Sequence, residues 1–211
     1  MKTAPVIILS FAVLALLTSC SKDTPTQDQT SITPTQDTIV ILPVETATIR
    51  WFPETDTIEL PSLGDDIQAS YFRTTATNRE IRRGFAEFNL PVISDSLISA
   101  VLIFKDDHAV VSDPRPADGY LVSFYAADST LDTLDFKTVM ETLDTISVDA
   151  NEEQKTYCLN IMTKTQAYAG QRVGIRFCLN GDFQITDSIS RGSGFGSLLN
   201  LQPTITVITQ K

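Results

Sequence analysis

Between residues 83 and 104 the chain alternates twice. Ala86, Phe88 and Leu90 alternate with Phe85, Glu87 and Asn89, and a polar break around Pro91, Ser94, Asp95 and Ser96 follows. Ile98, Ala100, Leu102 and Phe104 then take the alternation up again. Apolar side chains at every second position, joined by a turn-rich connection, predict two successive β-strands that feed one core.

The same period recurs on both sides of this pair. Upstream, residues 39–42 form an apolar run closed by Pro43, and Ala47, Ile49 and Trp51 alternate with Thr48, Arg50 and Phe52. Residues 56–60 make a short run stopped by Pro61, Gly64-Asp65-Asp66 reads as a turn, and residues 67–72 read as a strand. Residues 74–82 are polar and read as a loop. Downstream, residues 105–119 carry loop chemistry around a small strand at 109–111, and residues 120–126 alternate. Phe136, Val139, Met140 and Leu143 fall at helical spacing, which predicts a short helix over 135–143. Strands are expected at 155–162, 172–179 and 203–208, with a helical turn ending at Gly170 between the first two. Asn180-Gly181 signals a hairpin whose second arm runs over 182–189, and the three glycines within 190–197 read as a flexible loop.

About ten short strands and at most one or two short helices predict an all-β chain, an antiparallel β-sandwich of the jelly-roll type. A parallel α/β fold would need repeated helical crossovers, which the pattern lacks.

Composition changes the picture at the N-terminus. Lys2 precedes an apolar run at residues 6–17, too short to cross a bilayer and of the length of a signal-peptide core. The run ends in Leu17-Thr18-Ser19-Cys20, which resembles the bacterial lipobox. That resemblance implies cleavage before Cys20 and lipidation of Cys20, so that several acyl chains hold the chain to a membrane. Residues 1–19 are then a leader, and residues 20–37 a flexible Thr/Gln/Pro-rich tether that buries too little apolar surface to order itself. Residues 38–211 form one domain. Ser21 stands where an Asp would resemble the inner-membrane retention signal, so the expected location is the outer membrane, facing the periplasm or the cell surface. Loss of Lys2 takes the formal net charge from −10 to −11. That balance opposes nucleic-acid binding. Arg79, Arg82 and Arg83, with Glu80 among them, read as a strand-edge or loop cluster.

Few residues suggest chemistry. Cys158 and Cys178 lie opposite the main apolar faces of their strands; they form a disulfide if those strands are hairpin neighbours in an oxidising compartment, or stay free and buried. His108, the single histidine, follows Asp106 and Asp107, either as a cation loop or as a solvated acidic loop; the rhythm of an EF-hand is missing. Nothing selects a carboxylate pair for glycoside hydrolysis, and neither a nucleophile elbow nor a phosphate loop is present, so the expectation is a non-enzyme without cofactor. Trp51, Phe52, Tyr71, Phe72, Tyr120 and Tyr125 are candidates for a sugar-stacking platform, with Tyr71, Tyr120 and Tyr125 the chosen ligand residues and Trp51 assigned to the core. Asp-Thr or Asp-Ser steps at Asp37, Asp56, Asp95, Asp128, Asp132, Asp144 and Asp187 resemble an O-glycosylation acceptor triplet, and the same residues favour turns before strands.

The order Phe88-Asn89-Leu90-Pro91, then Ser99-Ala100-Val101-Leu102, then Pro203-Thr204-Ile205-Thr206-Val207 resembles the DNRLRE-type domains, to which carbohydrate-binding module family 96 is closely related. Asn89 stands where that family has Asp, and the run that names it is absent. The likeness spans about residues 46–211 and implies a jelly-roll sandwich. The expected function is a lipid-anchored binding or adhesion module with a glycan ligand. The alternative is a structural subunit of an envelope assembly, docking on envelope proteins.

Overall fold

The long strand over Asn78–Asn89 organises the domain. The computed structural model describes residues 35–60, 67–75, 78–105, 119–128, 130–147, 155–182, 191–196 and 202–211. These hold β1 (Gln36–Ile41), β2 (Glu45–Phe52), β3 (Thr57–Glu59), β4 (Ile67–Thr75), β5 (Asn78–Asn89) and β6 (Ser96–Lys105). There follow β7 (Tyr120–Ala126), β8 (Glu141–Ile146), β9 (Thr156–Asn160), α1 (Met162–Ala167), β10 (Arg172–Leu179), β11 (Arg191–Gly196) and β12 (Thr204–Gln210). The smaller sheet runs β1-β12-β6-β9; the larger runs β11-β4-β5-β10-β7-β8, with β2 on β5 and β3 on β2. Every pairing among the described residues is antiparallel. The protein is an all-β antiparallel sandwich, as the period-two pattern predicts.

β5 reaches three partners. Residues 78–82 pair with β4 and 84–89 with β10, while 81–87 pair with β2. Residues 84–87 thus have β2 and β10 on opposite edges, and β4 and β10 succeed each other along one edge. Gly84 stands at that handover. A Cβ there would lie 2.4 Å from Ile67 Cγ2 and 3.0 Å from the Gln68 nitrogen. The start of β4 therefore passes over β5 at a distance only glycine permits.

The inter-sheet core follows from register. Gly84, Ala86 and Phe88 share a face with Phe177, Ile175 and Val173, and these with Val122, Phe124 and Ala126. The smaller sheet answers with Ala100, Leu102, Phe104, Ile205 and Val207, all buried. Phe104 meets Phe177 edge-on at 5.1 Å between ring centres. Gly170, in the left-handed conformation at φ 77°, closes the connection after α1.

Four expectations are corrected. Of the stretch 74–82 read as a loop, residues 74–75 end β4 and residues 78–82 begin β5, and the two strands pair antiparallel. Their polarity comes from ion pairs, Arg82 to Glu80 at 2.6 Å, Arg50 to Glu80 at 3.4 Å and Arg79 to Glu54 at 2.5 Å, which replace apolar alternation. The helix over 135–143 does not form; turns occupy 133–137 and β8 begins at Glu141. Only Phe136 of that spacing is fully buried, and Val139 is 95 % exposed, so no helical face exists to bury. The glycine-rich residues 191–196 form β11 on β4, with an irregularity between Gly194 and Gly196. Cys158 and Cys178 are free. They lie on β9 and β10, strands of different sheets, so the hairpin pairing on which the expected disulfide depended is absent.

Candidate functional site

The alternate residues of β5 build a second, polar interior. Arg83, Phe85 and Glu87 face away from the smaller sheet, and register sets them beside Ile49, Ala47 and Glu45 of β2 and Arg176 and Gly174 of β10. Residues 130–140 cover this face through Leu131 and Phe136, both buried. Beneath them lie two charge clusters. Arg83 donates from Nε and Nη2 to both oxygens of Asp182, at 2.7 and 2.8 Å, and from Nη1 to the Phe136 carbonyl. Its guanidinium also lies over the Phe136 ring, 4.3 Å from the centroid. This bidentate fork satisfies a charge that would otherwise be costly to bury.

The second cluster centres on Glu87, which is fully buried. Tyr125 donates its hydroxyl to Oε1 at 2.8 Å, and Arg172 donates Nε to Oε2 at 2.7 Å. Arg172 also pairs with Glu45, which accepts the Leu131 backbone N–H at 3.0 Å. Burial raises the Glu87 carboxyl above its usual range despite the bonds from Tyr125 and Arg172. Burial and the nearby Glu87 charge push the Tyr125 phenol far up. Asp135, on the covering segment, is raised by desolvation as well. Both Glu87 oxygens have donors and its surroundings are closed, so the cluster has the build of a structural brace rather than a pocket for substrate.

Trp51 closes one rim of the covering segment. Its ring is half-buried and tilts against Phe136 at 6.1 Å. Its Nε1 donates to Asp56 Oδ1 at 3.0 Å, and Lys137 Nζ reaches the same oxygen at 3.0 Å. The bonds from Lys137 and then Trp51 hold the Asp56 carboxyl below its usual range. Leu134 and Val139 stand exposed on the same segment. A half-buried indole with a carboxylate at its edge and the Lys137 ammonium 6.0 Å from its ring centroid combines an aromatic surface with two charged groups.

The chosen ligand tyrosines fall elsewhere. Tyr71, Tyr120 and Tyr125 are all buried, so they do not form a surface platform. Strand parity was too weak a signal here, because both faces of the larger sheet are covered. Arg83 is not an edge residue, as its burial beside Asp182 shows. The missed clusters had one faint trace in sequence: charged Arg83 and Glu87 flank Phe85 within an otherwise apolar run. At two of the Asp-Ser/Thr steps the aspartate takes part in a turn; the Thr130 N–H donates to Asp128 at 3.0 Å and the Leu134 N–H to Asp132 at 2.7 Å. His108, with Asp106 and Asp107, and Cys20 with its leader lie outside the described residues. Among the described residues, no group of three or more His, Cys, Asp or Glu is placed to hold a metal ion, and no helix is long and apolar enough to cross a membrane.

No family model matches the chain. No curated protein matches it either.

Proposed function

We propose that this chain is an exported, lipid-anchored, non-catalytic binding or adhesion module of the cell envelope, with a glycan as its ligand. The lipobox-like Leu17-Thr18-Ser19-Cys20 and the polar tether after it supply the anchor, and a sandwich that begins at Gln36 supplies the body. The observation that carries the ligand class is the Trp51 rim. With three tyrosines buried, Trp51 combines a half-buried ring with Asp56 at its Nε1 edge and the Lys137 ammonium over its face, 6.0 Å from the centroid. Sugar rings present C–H faces to an indole and hydroxyls to such charged groups.

Full-length protein in detergent, tested against a panel of envelope and extracellular polysaccharides, binds at least one of them. Asp56→Ala and Lys137→Ala, both at exposed positions, each weaken that binding about tenfold, the loss expected of one hydrogen bond to a charged group. Failure of the wild type to bind any glycan, or full binding by both variants, defeats the reading.

The alternative, a structural subunit of an envelope assembly, is favoured by β1. It pairs only with β12 among the described residues and leaves its other edge open. Val40, Leu42 and Val44 stand 51, 61 and 43 % exposed along and just after it. Exposed apolar edges of this kind serve docking by strand addition.

A further inference from the structure

Residues 130–140 belong to neither sheet, yet they roof the polar interior. Turn bonds hold the segment together, from the Asp135 N–H to the Asp132 carbonyl at 3.3 Å, from Lys137 to Leu134 at 3.2 Å and from Thr138 to Asp135 at 3.3 Å. A segment held by turns opens locally at less cost than the strands beneath it. Charged and polar groups face it from four strands. Glu45 of β2 accepts the Leu131 N–H, and Arg172 of β10 pairs with Glu45 and with Glu87 of β5. Tyr125 of β7 donates to Glu87. Half-buried Asp135 stands near enough to this group to feel Arg172, Glu87 and Tyr125. Asp132 and Asp128 add negative charge from its own side. Three carboxylates, Glu45, Glu87 and Asp135, thus gather about one guanidinium.

We propose that this segment is a proton-sensitive cover: protonated Asp135 keeps it closed, and ionised Asp135 loosens it and draws Phe136 and Lys137 away from Trp51. The closed cover holds an ionised Asp135 partly out of water beside the Glu87 charge. Opening returns that charge to water and leaves Glu87 between Tyr125 and Arg172. The Asp135 carboxyl lies above its ordinary 3.8, with desolvation the largest cause. The stability it gives the closed cover is therefore full below that ordinary value and is lost as pH rises through the folded one. At its far end the movement reaches the candidate site, since Phe136 packs on Trp51 at 6.1 Å and Lys137 lies 6.0 Å from the same ring. Asp56 is not the trigger: Lys137 and Trp51 hold its carboxyl below its usual range, so it keeps its charge where Asp135 titrates. The consequence for a ligand, tighter binding in acid, rests on the glycan reading above; the movement itself does not.

The test uses full-length protein in detergent, with Trp51, the single tryptophan, as reporter. From about pH 4 to about pH 7, acrylamide quenching of its emission should rise about twofold. Over the same range the opening of residues 130–140 in hydrogen exchange, corrected for the intrinsic pH dependence of exchange, should rise about threefold or more, while β6 and β12 hold steady. Asp135→Asn, which keeps an oxygen for the Asp132 N–H, should remove both changes. A wild type flat in both readouts, or an Asp135→Asn chain with wild-type pH dependence, overturns the proposal. Quenching that follows pH without glycan binding at any pH supports the cover and defeats the glycan reading alone. Glycan bound equally at both pH values, with flat quenching, defeats the cover alone.

Discussion

Arg83 sits where an unpaired charge would be hardest to tolerate, 3 % exposed under Phe136. Replacing it with Met leaves Asp182 buried without its two donors, and should lower stability by about 3–5 kcal/mol in urea unfolding. The double variant Arg83→Met with Asp182→Leu should recover most of that loss, because two apolar side chains leave no unpaired charge. Asp135 and Glu87 give the opposite pH behaviour from a surface carboxylate. Their folded pKa values lie above 3.8 and 4.5, the ordinary values, with burial the largest cause. Each therefore contributes stability that is fully present below that ordinary value and is lost as pH rises through its folded pKa. Asp135→Asn keeps an oxygen to accept the Asp132 N–H. It should raise the melting temperature at pH 7 and change it little below pH about 3.8, the ordinary carboxylate range. Equal effects at both pH values would mean that the charge of Asp135 is not what matters.

Among the elements, β5 carries the most pairing, and Gly84 is the point where its edge passes from β4 to β10. Gly84→Val places methyls against Ile67 and the Gln68 backbone, and should cost about 1–3 kcal/mol of stability as the start of β4 is pushed away. Hydrogen exchange should show that loss concentrated in Ile67–Ser70, with β6 and β12 unchanged. The strands themselves were legible because Ala86/Phe88 and Leu102/Phe104 face a core at period two. Two elements were not, and one helix was expected that does not form. The β4–β5 pair hides behind Arg79, Glu80 and Arg82, whose ion pairs do the work that apolar contacts do elsewhere. β11 hides behind glycines that carry no side-chain pattern. The false helix came from a 3.6-residue coincidence among Phe136, Val139 and Met140 with only one buried member. The polar interior was invisible for a related reason: parity tells which residues share a face, but a separate segment, 130–140, decides whether that face is covered.

On the scale of the molecule, the lipobox-like segment makes a plain claim. Cys20→Ser should move the protein from the detergent-rich to the aqueous phase on phase separation, and an unchanged partition would remove the anchor from the reading. The pairing of β1 with β12 makes another. Gln36 stands opposite Gln210 and Ile41 opposite Ile205, so the first strand of the domain takes its place only beside the last. A chain ending at Pro203 lacks the strand between β1 and β6, and should fail to show cooperative melting. A fragment that stops before β12 therefore has no native resting place for β1 while synthesis is under way. The smaller sheet can close only once Thr204–Gln210 has been made, so residues 36–41 wait unpaired until then.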